Sequence, residues 1–126
     1  YTDSRPGSQK YPFGLKAFYP DRGDFIGVIG NWNSASLLRR FTRQMRQVRE
    51  LPVETLSVPG NGGLIPAVRL SDHSPFWDAG YPALMVTDTS FFRNPHYHGS
   101  TDTLETLNLD FMAKVCEGVI RAVLVL

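Results

Sequence analysis

The chain has 126 residues and a mass of 14.1 kDa, one domain's worth of protein or a large piece of one. At 42% hydrophobic, with 8 Phe, 5 Tyr and 2 Trp, it can bury a core, which excludes disordered, collagen-like and coiled-coil classes. Thirteen Lys and Arg against twelve Asp and Glu leave a net charge of +1, without the cationic excess of a nucleic-acid binder, and the single Cys116 can form neither an internal disulfide nor a thiolate zinc site by itself.

The first residue is Tyr1, and residues 2–9 (Thr-Asp-Ser-Arg-Pro-Gly-Ser-Gln) are turn chemistry with almost nothing apolar to anchor them. A chain that opens in a loop in this way is expected to be processed or partial. Residues 25–30, Phe-Ile-Gly-Val-Ile-Gly, form a continuous apolar run suited to a strand buried on both faces. Asn33 or Ser34 can then cap a helix running to about Glu50, with Leu37, Leu38, Phe41, Met45 and Val48 as its apolar stripe. Its other side carries Arg39, Arg40, Arg43, Arg46 and Arg49, which reads as a solvated face. Pro52 stops continuation, and Val53–Val58 reads as a second strand, which completes a strand–helix–strand unit of the kind that sets strands parallel.

Residues 59–63 (Pro-Gly-Asn-Gly-Gly) are a loop, and 65–70 a short strand or extended segment. Ser74-Pro75-Phe76-Trp77 predicts one or two helical turns with Ser74 as cap and Pro75 in first position. Residues 82–88 are the third strand, residues 89–108 are irregular, and Leu109 to about Val125 form a helix. In that helix Met112, Val115, Cys116, Val119, Ile120 and Val123 lie on one face, expected to pack on the sheet with Cys116 as an inert hydrophobe. No apolar run reaches the roughly 18 residues of a membrane span, and no signal segment opens the chain. The expected fold class is α/β, a mostly parallel sheet flanked by helices.

Three histidines, His73, His96 and His98, lie in loops or at element boundaries. Ligands of open α/β sheets bind beyond the carboxyl ends of strands, which places the loop from Asp88 to His98 where a site would form. Pro95 stiffens the approach and Gly99 allows an unusual backbone angle after His98. An imidazole held this way suits a first-row metal, although a loop histidine can equally cap or hydrogen-bond. Ser71-Asp72-His73 contains the residue types of a hydrolase triad, but consecutive residues do not converge in triad geometry and no Gly-x-Ser-x-Gly elbow is present. Gly60-Asn61-Gly62-Gly63 lacks the Lys-Ser/Thr ending of a phosphate loop.

Two strings are more specific. Ser71-Asp72-His73-Ser74-Pro75-Phe76-Trp77-Asp78-Ala79-Gly80-Tyr81-Pro82-Ala83, followed after a strand by Tyr97-His98-Gly99-Ser100-Thr101-Asp102-Thr103, resembles the zinc-dependent aminopeptidase family. That family includes the dizinc leucyl aminopeptidases and, more distantly, the single-zinc glutaminyl cyclases. Gly99 stands where the family usually has Thr, while Pro6-Gly7-Ser8-Gln9 and the 24–58 unit also look like it, so the resemblance covers nearly the whole chain.

The resemblance implies a catalytic domain with two zinc ions held by two His and three acidic residues, and a Glu as general base. Of these only the last histidine ligand maps onto this chain, at His98. The chain is therefore expected to be the C-terminal half of such a domain, residues 1–126 forming one part, with no catalytic base of its own and no activity alone. The resemblance further implies that Phe91, Phe92 and Tyr97 line the pocket for the substrate side chain, favouring apolar N-terminal residues of peptides or proteins. It implies that Asp72 and His73 lie behind the ligands or touch substrate, that Asp102 braces the loop or caps a turn, and that the protein is exported or periplasmic. A glutaminyl cyclase-like transferase and a non-catalytic binding relative are the rival classes. Self-association through a sheet edge left uncovered is a further expectation.

Overall fold

The computed structural model describes residues 1–12 and 14–126. The apolar run after Asp24 forms the central strand β1 (Ile26–Asn31), buried along nearly its whole length. A turn at Trp32–Ser34 leads into α1 (Ala35–Met45), and Val53–Val58 forms β2. The segment after β2 holds a one-turn 3-10 helix at Pro66–Arg69 in place of the expected strand, then α2 (His73–Asp78). Strand β3 (Leu84–Thr87) follows, then short turns at Ser90–Phe92 and Leu104–Thr106, and finally α3 (Leu109–Leu124).

The sheet order is β2-β1-β3. β1 and β2 pair in parallel, with Ile26 opposite Val53 and Asn31 opposite Val58, joined by the crossover helix that a parallel pair requires. β3 pairs with β1 antiparallel, with Val28 opposite Val86, so the helix-flanked α/β architecture stands but its sheet is mixed rather than mostly parallel. A short apolar run carries no direction. The connection over residues 59–83 delivers the chain to the Gly30 end of β1, and β3 can only run back.

Side chains alternate across the strands, so each face of the sheet has its own core. Ile26 and Val28 of β1 lie under α1 with Leu38, Phe41, Met45, Val48, Leu51, Val53 and Ala122. Val58, Val68 and Trp77 form a second, smaller cluster on the other side, with Ile29, Leu56, Ile65 and Ala83 packed against it. Ser34 stands at the expected cap position of α1, but its side chain makes no capping bond to the helix. Asn31 Oδ1 accepts from the Ser34 amide at 3.0 Å and from Ser34 Oγ at 2.7 Å, and Ser34 Oγ accepts from the Ala83 amide at 3.0 Å. This buried chain of bonds ties the end of β1 to the entry of β3. α1 ends at Met45 rather than near Glu50, and the turns beyond it still bury Val48 and Leu51.

α3 departs from its expected face. Phe111, Val115 and Val119 are half-buried and Gly118 and Ala122 buried, whereas Met112, Cys116, Ile120 and Val123 are exposed. The helix lies alongside α1 instead of flat on the sheet. A Cβ on Gly118 would stand 3.2 Å from Leu51 Cδ2 and 3.4 Å from Met45 Cα, so the small residues set the contact because only they let the two backbones approach. No helix among the described residues is long and apolar enough to cross a membrane.

Candidate functional site

The opening segment is not the unanchored loop its composition implies. Asp3 and Gly23 exchange backbone hydrogen bonds at 2.8 Å, the Gln9 side chain is buried, and the Lys10 amide donates to the Phe92 carbonyl at 2.9 Å. The main-chain nitrogen of Tyr1 donates to Asp88 Oδ2 at 3.0 Å, just past the end of β3. The Tyr1 ring lies edge-on to His96, with centroids 5.9 Å apart. The beginning of the chain and the 88–98 loop are therefore one piece of architecture.

That loop is built of tight turns. Asp88 Oδ1 accepts from the Ser90 amide and Asn94 Oδ1 from the His96 amide, each at 2.9 Å, Asx turns of the kind these side chains favour. His96 Nδ1 lies 2.9 Å from Thr101 Oγ1. His98 is exposed, has a φ of +56°, and stacks on Tyr97 with centroids 4.0 Å apart and 14° between planes. Neither of its ring nitrogens has a hydrogen-bond partner among the described residues.

Beside this loop, on the face of the sheet away from α1, is a cavity of about 150 Å³. Its floor comes from alternate strand residues, Ile29, Leu56 and Met85, and its walls include Tyr11, Phe92 and Tyr97. Phe91 also lines it, 4.5 Å from Phe92 and 5.9 Å from Tyr97 between centroids, so the three aromatic residues expected to line a side-chain pocket do converge. Lys10 and Glu54 are the charged residues in its lining. The Tyr11 hydroxyl donates to the Pro20 carbonyl at 2.6 Å, and burial pushes its pKa up to about 12. The Tyr19 hydroxyl donates to the Thr55 carbonyl at 2.8 Å, and its pKa is also raised, chiefly by burial and then by Glu54. Both phenols stay neutral with their protons committed, so they shape the cavity and are not bases.

Asp72 and His73 fall outside that lining. His73 is buried against Trp77 with ring centroids 4.4 Å apart, and its Nε2 lies 2.6 Å from the Val68 carbonyl. Asp72 is exposed at the start of α2 and makes no capping hydrogen bond. Asp102 is also exposed, its amide donating to the Gly99 carbonyl at 3.1 Å.

Whether these residues can hold a metal follows from the donor set. No group of three His, Cys, Asp or Glu comes together among the described residues, whereas a catalytic zinc takes three protein ligands and an open position. His98 fits as one member of such a set, neither ring nitrogen being hydrogen-bonded among the described residues, but those residues do not make a zinc site by themselves.

Gln9 and Arg93 join this region only through the fold. Arg93 sits in an aromatic, loop-forming stretch where a cation reads as solvated, and only the folded chain shows it to be 5% exposed with its guanidinium bonded to Gln9.

Residues 19–123 match Peptidase family M28, and the chain belongs to that family. It is 42% identical over 121 residues to the uncharacterized protein YfbL of Escherichia coli (strain K12), an alignment covering 95% of this chain and 36% of YfbL. Over 52 residues it is 46% identical to proteins named probable leucine aminopeptidase from Arthroderma benhamiae and Trichophyton verrucosum, covering 38% of this chain and 14% of each. The chain thus spans about a third or less of the length of these relatives. No solved structure matches it.

Proposed function

We propose that this chain is part of a zinc metallopeptidase that removes apolar residues from the N-termini of peptides or proteins. One observation carries the reading: the aromatic wall of the cavity continues through Tyr97 directly onto His98, 4.0 Å away. A side chain seated among Phe91, Phe92 and Tyr97 would hold its own peptide bond beside whatever His98 ligates. The match to proteins named probable leucine aminopeptidase supports the same assignment.

In this reading His98 is an imidazole ligand, and its exposed ring, with neither nitrogen hydrogen-bonded among the described residues, suits that role. With His98 as one of its ligands and the others supplied by the rest of the protein, a bound zinc would contribute Lewis-acid chemistry and a water of lowered pKa. The chain's own residues orient the substrate. The floor of Ile29, Leu56 and Met85 offers an apolar side chain apolar contact, and the tyrosines beside it are neutral. His73 supports that wall through the Val68 carbonyl, and Asp72 stands exposed two residues beyond Leu70, which lines the cavity.

In the full-length protein, His98→Ala should remove at least one equivalent of zinc and most of the turnover of leucyl and phenylalanyl anilides. Metal analysis and a chelator-controlled anilide assay check this. Unchanged zinc content together with unchanged turnover would show the assignment to be wrong.

A further inference from the structure

We propose that Arg93 is a positioning residue, a buried clamp that fixes the His96–His98 loop against the Tyr1–Gln9 segment. Its bearing on catalysis rests on the peptidase reading above, whereas the clamp itself rests on the loop.

The loop needs holding. Thr89, Ser90 and His98 all have left-handed backbone angles, with φ of +70°, +42° and +56°, a conformation that costs a side-chain-bearing residue free energy and persists only where surroundings enforce it. Apolar burial does not enforce it, since Phe91 is 48% and Tyr97 41% exposed. The buried residues of the loop are polar, Arg93 and Asn94.

Arg93 reaches three parts of the chain at once. Its Nε donates to Gln9 Oε1 at 2.9 Å and its Nη1 to the Phe25 carbonyl at 2.8 Å and the Tyr1 carbonyl at 3.4 Å. The guanidinium lies 4.5 Å over the Phe25 ring. Gln9 Oε1 also accepts from Thr89 Oγ1 at 3.0 Å, at the first strained residue. Tyr1 is thereby held from both sides, its nitrogen on Asp88 and its carbonyl on Arg93. The stem has room only because position 23 is glycine: a Cβ there would stand 2.6 Å from Arg93 Cγ.

Stability alone does not account for such a residue. No carboxylate lies within ion-pairing distance of the guanidinium among the described residues, and Nη2 is buried with no partner among them. An apolar side chain of similar volume would avoid that desolvation cost, so what arginine adds is direction, several donors in a rigid fork.

The test uses the full-length protein with Arg93→Met, Arg93→Lys and Gly23→Ala. In Arg93→Met, hydrogen exchange of the 89–98 amides should accelerate about tenfold or more while β1 and α1 keep parental rates. With the peptidase assay, kcat should fall about tenfold or more with KM nearly unchanged, and chelators should strip zinc faster. Arg93→Lys, which keeps the charge but cannot reach all three acceptors, should fall between. If Arg93→Met does not fold, Gly23→Ala carries the test, because it displaces the guanidinium stem and should give the same local acceleration. Parental exchange over 89–98, or acceleration spread evenly over the whole chain, overturns the clamp. A parent protein without zinc or turnover sinks the peptidase reading instead and leaves the exchange measurement to decide Arg93.

Discussion

His73 commits its Nε2 proton to the Val68 carbonyl and leaves Nδ1 buried without a partner among the described residues. Protonating Nδ1 would create a buried, unsatisfied donor on a charged ring. Burial accordingly pushes its pKa below the ordinary 6.5, with the Val68 bond acting the other way and Arg69 adding to the depression. The direction of the pH effect follows. Above about 6.5 the ring is neutral in both folded and unfolded chains and the packing contribution is whole; as pH falls below that, the unfolded chain takes up the proton first and stability drops. It levels off only once the folded ring protonates too. The thermal midpoint should therefore fall on going from about pH 7.5 to pH 5.5, and His73→Phe should remove this share of the slope. A variant with the parental slope would place the titration elsewhere. The triad composition of Ser71-Asp72-His73 thus belongs to a packing histidine with an exposed aspartate beside it.

Among the elements, α3 separates apolar character from burial. Its sequence is apolar on more than one side, and Gly118 and Ala122 decide which side meets α1. Met112→Asp, which would be ruinous on a buried face, should change the stability of this chain by no more than about 0.5 kcal/mol, because Met112 is 48% exposed. Gly118→Leu should cost about 1–3 kcal/mol by forcing α1 and α3 apart at Met45 and Leu51. Urea melts of the two variants check the pair, and the opposite order would restore the Met112 face to the core. Cys116, exposed on the same side as Met112, should react rapidly with a thiol reagent in the native chain.

For the molecule as a whole, the ligand count governs what these residues can do alone. His98 is one candidate metal donor, and no group of three His, Cys, Asp or Glu comes together among the described residues. The 126-residue chain by itself should show no chelator-sensitive cleavage of amino-acid anilides and only weak zinc uptake, measured by anilide assay and equilibrium dialysis. Robust turnover would mean that the site is complete here after all. β2 and β3 are the two edges of the described sheet, and an open edge is a template for another strand, so self-association of the isolated chain, read by sedimentation, is proposed to accompany the inactivity.

What the sequence determined by itself was local or carried by a motif. The apolar run at 25–30, the stripe through Leu38, Phe41 and Met45, and Pro52 before a second strand specify β1, α1 and β2, because helix and strand periods are written into neighbouring residues. The Tyr97-His98 and Ser71–Ala83 strings carried the family. Only the tertiary structure decided the direction of β3, the face of α3 and the burial of Gln9 and Arg93. Strand direction depends on where a long connection returns, and a helix face on how closely two backbones approach. The fate of an arginine depends on whether acceptors from Tyr1, Gln9 and Phe25, as many as 92 residues away in the chain, converge around it. No window of neighbouring residues contains that information, because the partners become neighbours only when the chain has folded.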